Sequence, residues 1–361
     1  MGSWHIIKHP DFISAFNPEN GKYFRSGIIK DGRDTGVDPF MAPFPELLDV
    51  GIMGHCIHGR VGLCSKAGVQ CYQDGLHSVA KNMTVDDFDS LASQCSGKVF
   101  QFALGGCGDP DQHEHFIEIL KICRRYRIVP SFTTSGLGIT PEIARVCKEY
   151  CGAVAISWYR SDYTLKAVRT LMEAEVKTNI HYVLSRSSVD EALDRFGNDS
   201  FPDGINAVVI LLHKPIGLGT KDEILPISDL RFKKLLNTVI TGRFRYKIGF
   251  DSCTVPALLN RDYPIDTDSL DTCEGARWSA YITPDMKMLP CSFDNQACKW
   301  AVDLRRYSIK QGWESQQFEA FRKHFREACP DCENRRLCLG GCPICPEIVP
   351  CLNPNFKVRF A

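Results

Sequence analysis

The sequence has no surplus of charge, no export signal and no long apolar run. Lys and Arg together number 43, as do Asp and Glu. No net field therefore draws the chain to nucleic acid, and no polybasic run suits an anionic membrane surface. From Met1 through Ser3 to Trp4 and His5 there is no positively charged segment leading into an apolar one, and no stretch approaches a membrane span. These absences predict a cytoplasmic protein with neither nucleic acid nor membrane as a partner.

What the chain does have is 18 cysteines. Small secreted domains use such numbers to replace a missing core, whereas 361 residues of ordinary apolar content can bury one. Reduced cytosolic thiols point instead to metal. Cys56, Cys64 and Cys71 sit together near the start, while Cys273, Cys291, Cys298, Cys329, Cys332, Cys338, Cys342, Cys345 and Cys351 fill the last quarter. Two separate metal regions are implied. Cys95, Cys123, Cys147 and Cys151 read as small buried hydrophobes.

Trp4 to Ile7, Phe12 to Phe16, the turn Asn20-Gly21 and Tyr23-Phe24 predict a hairpin or a pair of edge strands covering one end of the body that follows. Beyond Pro39, Pro43 and Pro45, the apolar run from Leu47 to Met53 is the first buried strand. Strands at 99–104, 128–133, 153–157, 177–184 and 207–212 then alternate with helices at 84–94, 113–126, 140–150, 163–174, 188–196 and 229–241. Thr84 caps the first helix, with Asp86 and Asp87 in its first turn. Six β–α units are fewer than a closed eight-fold barrel needs, so the class is α/β, a partial (β/α)6 TIM-like barrel. Its ligand site belongs at the C-terminal ends of the strands. After about Asp262 the alternation fails, giving a hairpin up to Cys298, an amphipathic helix at 314–328 and a loop stitched by cysteines. The expected units are 1–46 (hairpin and linker), 47–261 (barrel) and 262–361 (cysteine-rich module).

The first three cysteines follow the first strand in one loop. Three thiolates leave one iron of a cubane unligated, and that iron can chelate the amino and carboxylate groups of S-adenosylmethionine. A zinc site or unengaged loop thiols are the alternatives. The loop closes on Cys71-Tyr72-Gln73. Gly105-Gly106-Cys107-Gly108-Asp109-Pro110 follows the second strand, Thr133-Thr134-Ser135-Gly136 the third and Ser157 the fourth, with Asn179 to Leu184 on the fifth. Near the other end stands Cys329-x2-Cys332-x5-Cys338-x3-Cys342, with Cys273 and Cys291 upstream.

Together these segments resemble the radical S-adenosylmethionine family, in its branch with a C-terminal SPASM module that modifies peptides and proteins. The resemblance implies a catalytic [4Fe-4S] cluster on Cys56, Cys64 and Cys71, although the spacing is Cx7Cx6C where the family has CxxxCxxC. It gives Tyr72 the aromatic flank of the last ligand. Gly105, Gly106, Gly108 and Asp109 fall in the family's GGEP motif, which receives the methionine amino group through its backbone; Cys107 and Asp109 depart from that motif. Thr134, Ser135, Ser157, Asn179 and Leu184 stand where the family contacts ribose, carboxylate and adenine, though a Ser or Thr after a strand also serves as a cap or turn residue.

In the module the resemblance implies two auxiliary [4Fe-4S] clusters. One would use Cys273, Cys291 and Cys342, with Cys253 as its remaining ligand or else as a core thiol; Cys298 is a weaker alternative. The other would use Cys329, Cys332 and Cys338, with Cys351 or Cys345 supplying the terminal thiol. Met286 stands where the family has a turn glycine. A zinc ribbon is the rival reading of the CxxC pairs, against which stand many thiols with almost no His among them.

The implied reaction is reductive cleavage of S-adenosylmethionine to a 5′-deoxyadenosyl radical, fed by a donor such as flavodoxin or ferredoxin. Hydrogen abstraction from a peptide or protein would follow, for maturation of a ribosomally made peptide through a thioether or other crosslink. Cys107 is the candidate catalytic thiol, as a hydrogen donor. The alternatives are a radical enzyme acting on a small metabolite or cofactor precursor, and a zinc-binding scaffold without catalysis.

Overall fold

A computed structural model of the chain describes residues 4–259 and 263–351. The boundary expected between 261 and 262 falls outside the described residues. At the N-terminus, β1 (His5–Lys8), β2 (Ile13–Phe16) and β3 (Tyr23–Arg25) form an antiparallel sheet, one strand more than a hairpin. Phe16 packs on Phe100 and Val129, where two barrel strands begin, so this sheet covers the end away from the strands' C-termini. A two-residue ladder of β4 (Ile29–Lys30) with β5 (Arg33–Asp34) follows.

Seven parallel strands come next, each beside its predecessor: β6 (Leu47–Met53), β7 (Gln101–Gly106), β8 (Val129–Thr134), β9 (Val154–Ser157), β10 (Thr178–Leu184), β11 (Ala207–Leu212) and β12 (Lys247–Phe250). The crossovers contain α1 (Val85–Cys95), α2 (Phe116–Arg125), α3 (Pro141–Tyr150), α4 (Asp162–Glu173), α5 (Val189–Gly197) and α6 (Leu230–Thr241). Local chemistry explains α1. Thr84 Oγ1 accepts the Asp87 N–H at 3.1 Å, Asp86 and Asp87 face the positive end of the helix, and Phe88, Leu91, Ala92 and Cys95 recur at helical spacing on its buried side. Each such aromatic or aliphatic side chain contributes about 2 kcal/mol by leaving water.

Along β10, Thr178, Ile180, Tyr182 and Leu184 are buried on one face, while Asn179, His181 and Val183 alternate on the other. The second face lines the interior of an open, incomplete barrel, as the sequence predicts. Two features of the sheet exceed that expectation. β12 is a seventh strand, paired with β11. β13 (Ser279–Ile282) pairs in parallel with β6 and is followed by β14 (Lys287–Leu289) and β15 (Val302–Asp303), so the sheet runs to ten strands among the described residues.

The longest helix of the C-terminal part, α7 (Gln316–Glu327), is capped by Ser315 and buries Phe318, Phe321, Arg322 and Phe325. Arg322 lies 4.8 Å over the Trp313 ring and donates to the Ala276 carbonyl at 2.6 Å, which fixes the turn following Cys273. The chain reverses between β13 and β14 at Met286, φ 69°, with its N–H on the Thr283 carbonyl at 3.0 Å. A buried methionine thus holds a left-handed turn conformation that glycine would adopt freely, at a cost of about 1 kcal/mol of backbone strain. No described helix is long and apolar enough to cross a membrane.

Candidate functional site

A cavity of about 1080 Å³ occupies the barrel interior. Its wall joins residues of β6, β8, β9, β10 and β11 to Cys71 and Tyr72 on one side and to Cys253, Cys273, Cys291 and Cys342 on another.

The loop after β6 makes two helical turns, Ile57–Arg60 and Leu63–Lys66. Cys56 caps the first, its Sγ accepting the Gly59 N–H at 3.1 Å. Cys71 Sγ accepts the Gly75 N–H at 3.5 Å. A Cβ on Gly75 would stand 3.5 Å from Cys71 Sγ and 3.6 Å from Cys56 Sγ, so glycine keeps the ground between these sulfurs clear. Cys64 Sγ lies 3.6 Å from Tyr159 Oη. Burial pushes the Cys64 thiol up to about 11, and the charges of Cys71 and Cys56 add to the rise. The three thiols thus form one electrostatic group with all-sulfur donor chemistry around an uncluttered space, which fits an iron–sulfur cluster. No three His, Cys, Asp or Glu side chains among the described residues are grouped as for a single metal ion.

Cys107 belongs to the same neighbourhood. Burial raises its thiol to about 12, with further pushes from Cys71 and Cys56. It is not part of the cavity wall, and its N–H is held by the Met53 carbonyl at 2.7 Å. The glycines around it serve the fold first. A Cβ on Gly106 (φ 110°) would meet the Met53 oxygen at 2.3 Å, and one on Gly108 (φ 133°) would meet the His55 oxygen at 2.6 Å. Their close approach is therefore to the root of the cysteine loop. Gly105 has nothing within 4 Å and is the one of the three with room for a ligand.

Asp109 accepts from the Ser135 N–H and hydroxyl, and Thr134 Oγ1 accepts the Gly136 N–H at 3.0 Å. Thr134, the last residue of β8, and Ser135 just after it are both buried and locally engaged. Ser157, like Tyr72, lines the cavity. Tyr72 meets Phe293 edge-on at 5.1 Å, so the residue after Cys71 touches the loop after Cys291. Asn179 and Leu184 are not brought into the cavity wall. Asn179 is second in β10, at the end away from the strand C-termini, and accepts from Asn206 at 2.7 Å; Leu184 is buried in the core.

Cys253, just after β12, and Cys342 of the C-terminal part are hydrogen-bonded to each other. Burial raises Cys273 to about 12, and Cys273 and Cys291 both feel the charge of Cys253. Cys329, Cys332, Cys338 and Cys351 form a second set: burial lifts Cys338 to about 11, and it feels the other three. Between the sets the chain turns through Leu339, Gly340 and Gly341, all with positive φ, and a Cβ on Gly340 would lie 2.3 Å from that of Ala328. Cys345 is buried beside Cys342, its N–H on Cys342 Sγ at 3.3 Å. Cys298 joins neither set and donates to the Asn295 carbonyl. Cys95, Cys123 and Cys147 are fully buried core thiols; Cys151 is half-buried.

The cavity also holds polar groups that the sequence pattern hid. Asp49, inside the apolar run of β6, is pushed up to about 6 by burial. His181 is pulled down to about 4 by burial. Lys214 is buried against Asp251, stands 5.0 Å over the Phe293 ring and is held protonated by the Asp251 charge despite burial. Arg160 pairs with Glu191. Burial, then the charges of Asp271 and Asp49, lift Glu274 to about 7. A single acidic or basic residue within a strand-forming run was the available signal for each of Asp49 and His181.

The profile of the SPASM family, an iron–sulfur cluster-binding domain, matches residues 273–334. No curated relative matches the sequence. Among solved structures, Streptococcus suis SuiB bound to S-adenosylmethionine aligns with a TM-score of 0.65 at 14% identity, over 85% of this chain and 76% of that one. SuiB bound to precursor peptide SuiA gives 0.66 at 14% identity, over 95% and 96%. anSMEcpe with bound AdoMet and Cp18Cys peptide gives 0.60 at 17%, over 84% and 90%. At such identities the likeness is one of fold. The C-terminal segment is an iron–sulfur cluster-binding domain of the SPASM type, and the resemblance to radical S-adenosylmethionine enzymes carrying that module is borne by sequence there and by fold elsewhere.

Proposed function

We propose that this chain is a radical S-adenosylmethionine enzyme that acts on a peptide or protein. The observation that carries the reading is one cavity bounded by Cys71 of the loop triplet and by Cys253, Cys273, Cys291 and Cys342 of the C-terminal part. Cys56, Cys64 and Cys71 would hold a [4Fe-4S] cluster by three irons, leaving the fourth for the amino and carboxylate groups of S-adenosylmethionine. Bound there, the cluster supplies the electron that splits the sulfonium into methionine and a 5′-deoxyadenosyl radical, which takes hydrogen from the substrate.

The chain's own residues position and shield. Asp109, tied to Ser135, fixes the loop after β7 against the loop after β8. Gly105 leaves room for the methionine end of the cofactor, and Tyr72 and Ser157 bound the space beyond it. The enclosing wall keeps water from a radical that would otherwise be quenched. Cys253, Cys273, Cys291 and Cys342 would hold one auxiliary cluster and Cys329, Cys332, Cys338 and Cys351 another. A pair of auxiliary clusters can accept the electron left when a crosslink forms, which favours a thioether or other crosslink in a ribosomally made peptide. The peptide-bound structures of SuiB and anSMEcpe support a peptide as substrate. An external donor such as flavodoxin or ferredoxin would deliver the first electron.

Anaerobic reconstitution with iron and sulfide, then incubation with S-adenosylmethionine and dithionite, tests this reading. The expected result is about twelve irons per chain and release of 5′-deoxyadenosine. A colourless, zinc-loaded protein that releases none overturns it.

A further inference from the structure

The turn that carries Cys64 is poorly held by its own residues. The spacing Cx7Cx6C puts this thiol on Leu63–Lys66, a four-residue helical turn separate from the one that Cys56 caps. A turn that short is not stable by itself. It has no side-chain cap and buries none of its residues, so packing does not fix it. Gly62 (φ 72°) and Gly68 (φ 71°) flank it, and a Cβ on either would have nothing within 4 Å. Cys64 therefore sits between two permissive joints, whereas a cluster needs its sulfurs at set positions.

The barrel supplies what the turn lacks. Two consecutive residues after β9 reach across to it. Tyr159 Oη lies 3.6 Å from Cys64 Sγ, and Arg160 Nη1 donates to the Ala67 carbonyl at 2.9 Å. Ala67 closes the same turn, its N–H on the carbonyls of Leu63 and Cys64 at 3.1 Å. Arg160 is itself anchored. It pairs with Glu191 of α5, which also accepts from Trp158 Nε1 at 3.1 Å, Arg195 at 2.7 Å and the Tyr182 hydroxyl at 3.2 Å. The Arg160 backbone stands at φ 61°, unfavourable for a residue with a side chain. Strain of this kind persists where surrounding bonds over-determine it, and it clusters at working sites.

A phenol beside a cluster sulfur has one role open to it. Bound to iron, Cys64 is a thiolate that can only accept, so Tyr159 donates. One-electron reduction adds negative charge to a cluster. A donor aimed at a ligand sulfur stabilises the reduced form more than the oxidised one and raises the potential.

We propose that Tyr159 and Arg160 are positioning residues that clasp the Cys64 turn to the barrel. Arg160 does so through the Ala67 carbonyl, and Tyr159 through a hydrogen bond to the Cys64 sulfur that raises the reduction potential of the catalytic cluster. This rests on the reading of Cys56, Cys64 and Cys71 as ligands of that cluster.

Tyr159→Phe removes the hydroxyl and keeps the ring. In the anaerobically reconstituted chain, the catalytic cluster is the one whose electron paramagnetic resonance changes when S-adenosylmethionine is added, and its signal is followed at fixed potentials. The variant is expected to keep about twelve irons. At the parent's midpoint the reduced-to-oxidised ratio of that cluster falls about tenfold, a shift of about 59 mV for one electron. An unchanged ratio overturns the hydrogen bond's role, since packing by the ring alone would leave it so.

Arg160→Asn tolerates the same φ and releases the Ala67 carbonyl. Hydrogen exchange in peptides spanning 62–69, measured with and without iron, is expected to quicken at least about tenfold, while peptides from β6 and β7 keep the parent's rate and show that the variant has folded. Equal exchange in 62–69 overturns the clasp. Because exchange needs no iron, the two readings separate. If the parent loads iron and forms 5′-deoxyadenosine while both variants match it, only the clasp falls. If the parent takes up no iron while Arg160→Asn quickens exchange, the enzyme reading falls with its potential, and the tie to the barrel stands.

Discussion

Asp109 holds Ser135 by two hydrogen bonds, one from the backbone N–H at 3.0 Å and one from the hydroxyl at 2.5 Å. The same carboxylate stands 3.2 Å from His58 Nε2, which lies two residues past Cys56, and holds that imidazole above its ordinary range. Three loops at the strand ends are thus joined through one side chain. Asp109→Ala is expected to lower stability by about 2–3 kcal/mol, because charge-assisted bonds are lost and the Ser135 N–H is left buried and unpaired. In denaturant titrations Ser135→Ala costs less, and the double variant costs less than the sum of the singles. Additive losses would show that the two residues act separately.

The cysteine sets predict separable iron counts. Cys71→Ala and Cys338→Ala should each remove about four of about twelve irons and leave the remaining absorption in place. Only Cys71→Ala should abolish release of 5′-deoxyadenosine. Cys298→Ala, outside both sets, should change neither; iron analysis after reconstitution decides all three.

Gly105 and Gly106 are adjacent yet should respond oppositely to alanine. Gly106→Ala drives a Cβ to 2.3 Å from the Met53 oxygen at φ 110°, and is expected to destabilise the fold by more than about 2 kcal/mol. Gly105→Ala meets nothing within 4 Å, so melting should change little. Binding of S-adenosylmethionine should weaken about tenfold if its methionine end lies against this backbone. Equilibrium dialysis of the reconstituted protein measures that directly.

Asp49 and His181 should give opposite pH signatures. The Asp49 carboxyl is raised from 3.8 to about 6, so the folded state keeps a proton that the unfolded state has released, and the resulting stability is lost as pH rises through about 6. Asp49→Asn should therefore stabilise the protein at pH 7.5, by about 2 kcal/mol after allowing for water in the cavity, and by less at pH 5. The His181 imidazole is lowered from 6.5 to about 4, so acidification across that window favours the unfolded state. His181→Asn should flatten that acid-side loss. Thermal melts of both variants at the two pH values check the signs.

Periodicity made the barrel legible. Apolar runs and helical spacing locate β6 to β11 and α1 to α6 within a few residues, because each element buries one face and its sequence carries that face's period. β12 escaped because Lys247–Phe250 is short, partly exposed and contains Gly249. The pairing of β13 with β6 could not be read from spacing, since register between strands more than 200 residues apart is set by tertiary packing. Alternation likewise places Asn179 on the inner face but says nothing of depth, and its depth is what removes it from the cavity wall. In the C-terminal segment the spacing of Cys329, Cys332, Cys338 and Cys342 is itself a motif, so those thiols stood out in the sequence. Asp49, Lys214 and Glu274 did not, because a lone charged residue beside a strand reads the same whether it meets solvent or a cavity.

The pairing of β13 with β6 has a practical consequence for anyone dissecting this protein. Severing the chain near residue 270 would strip β6 of its neighbour and leave a row of bare amide and carbonyl groups along a hydrophobic strand, an invitation to self-association.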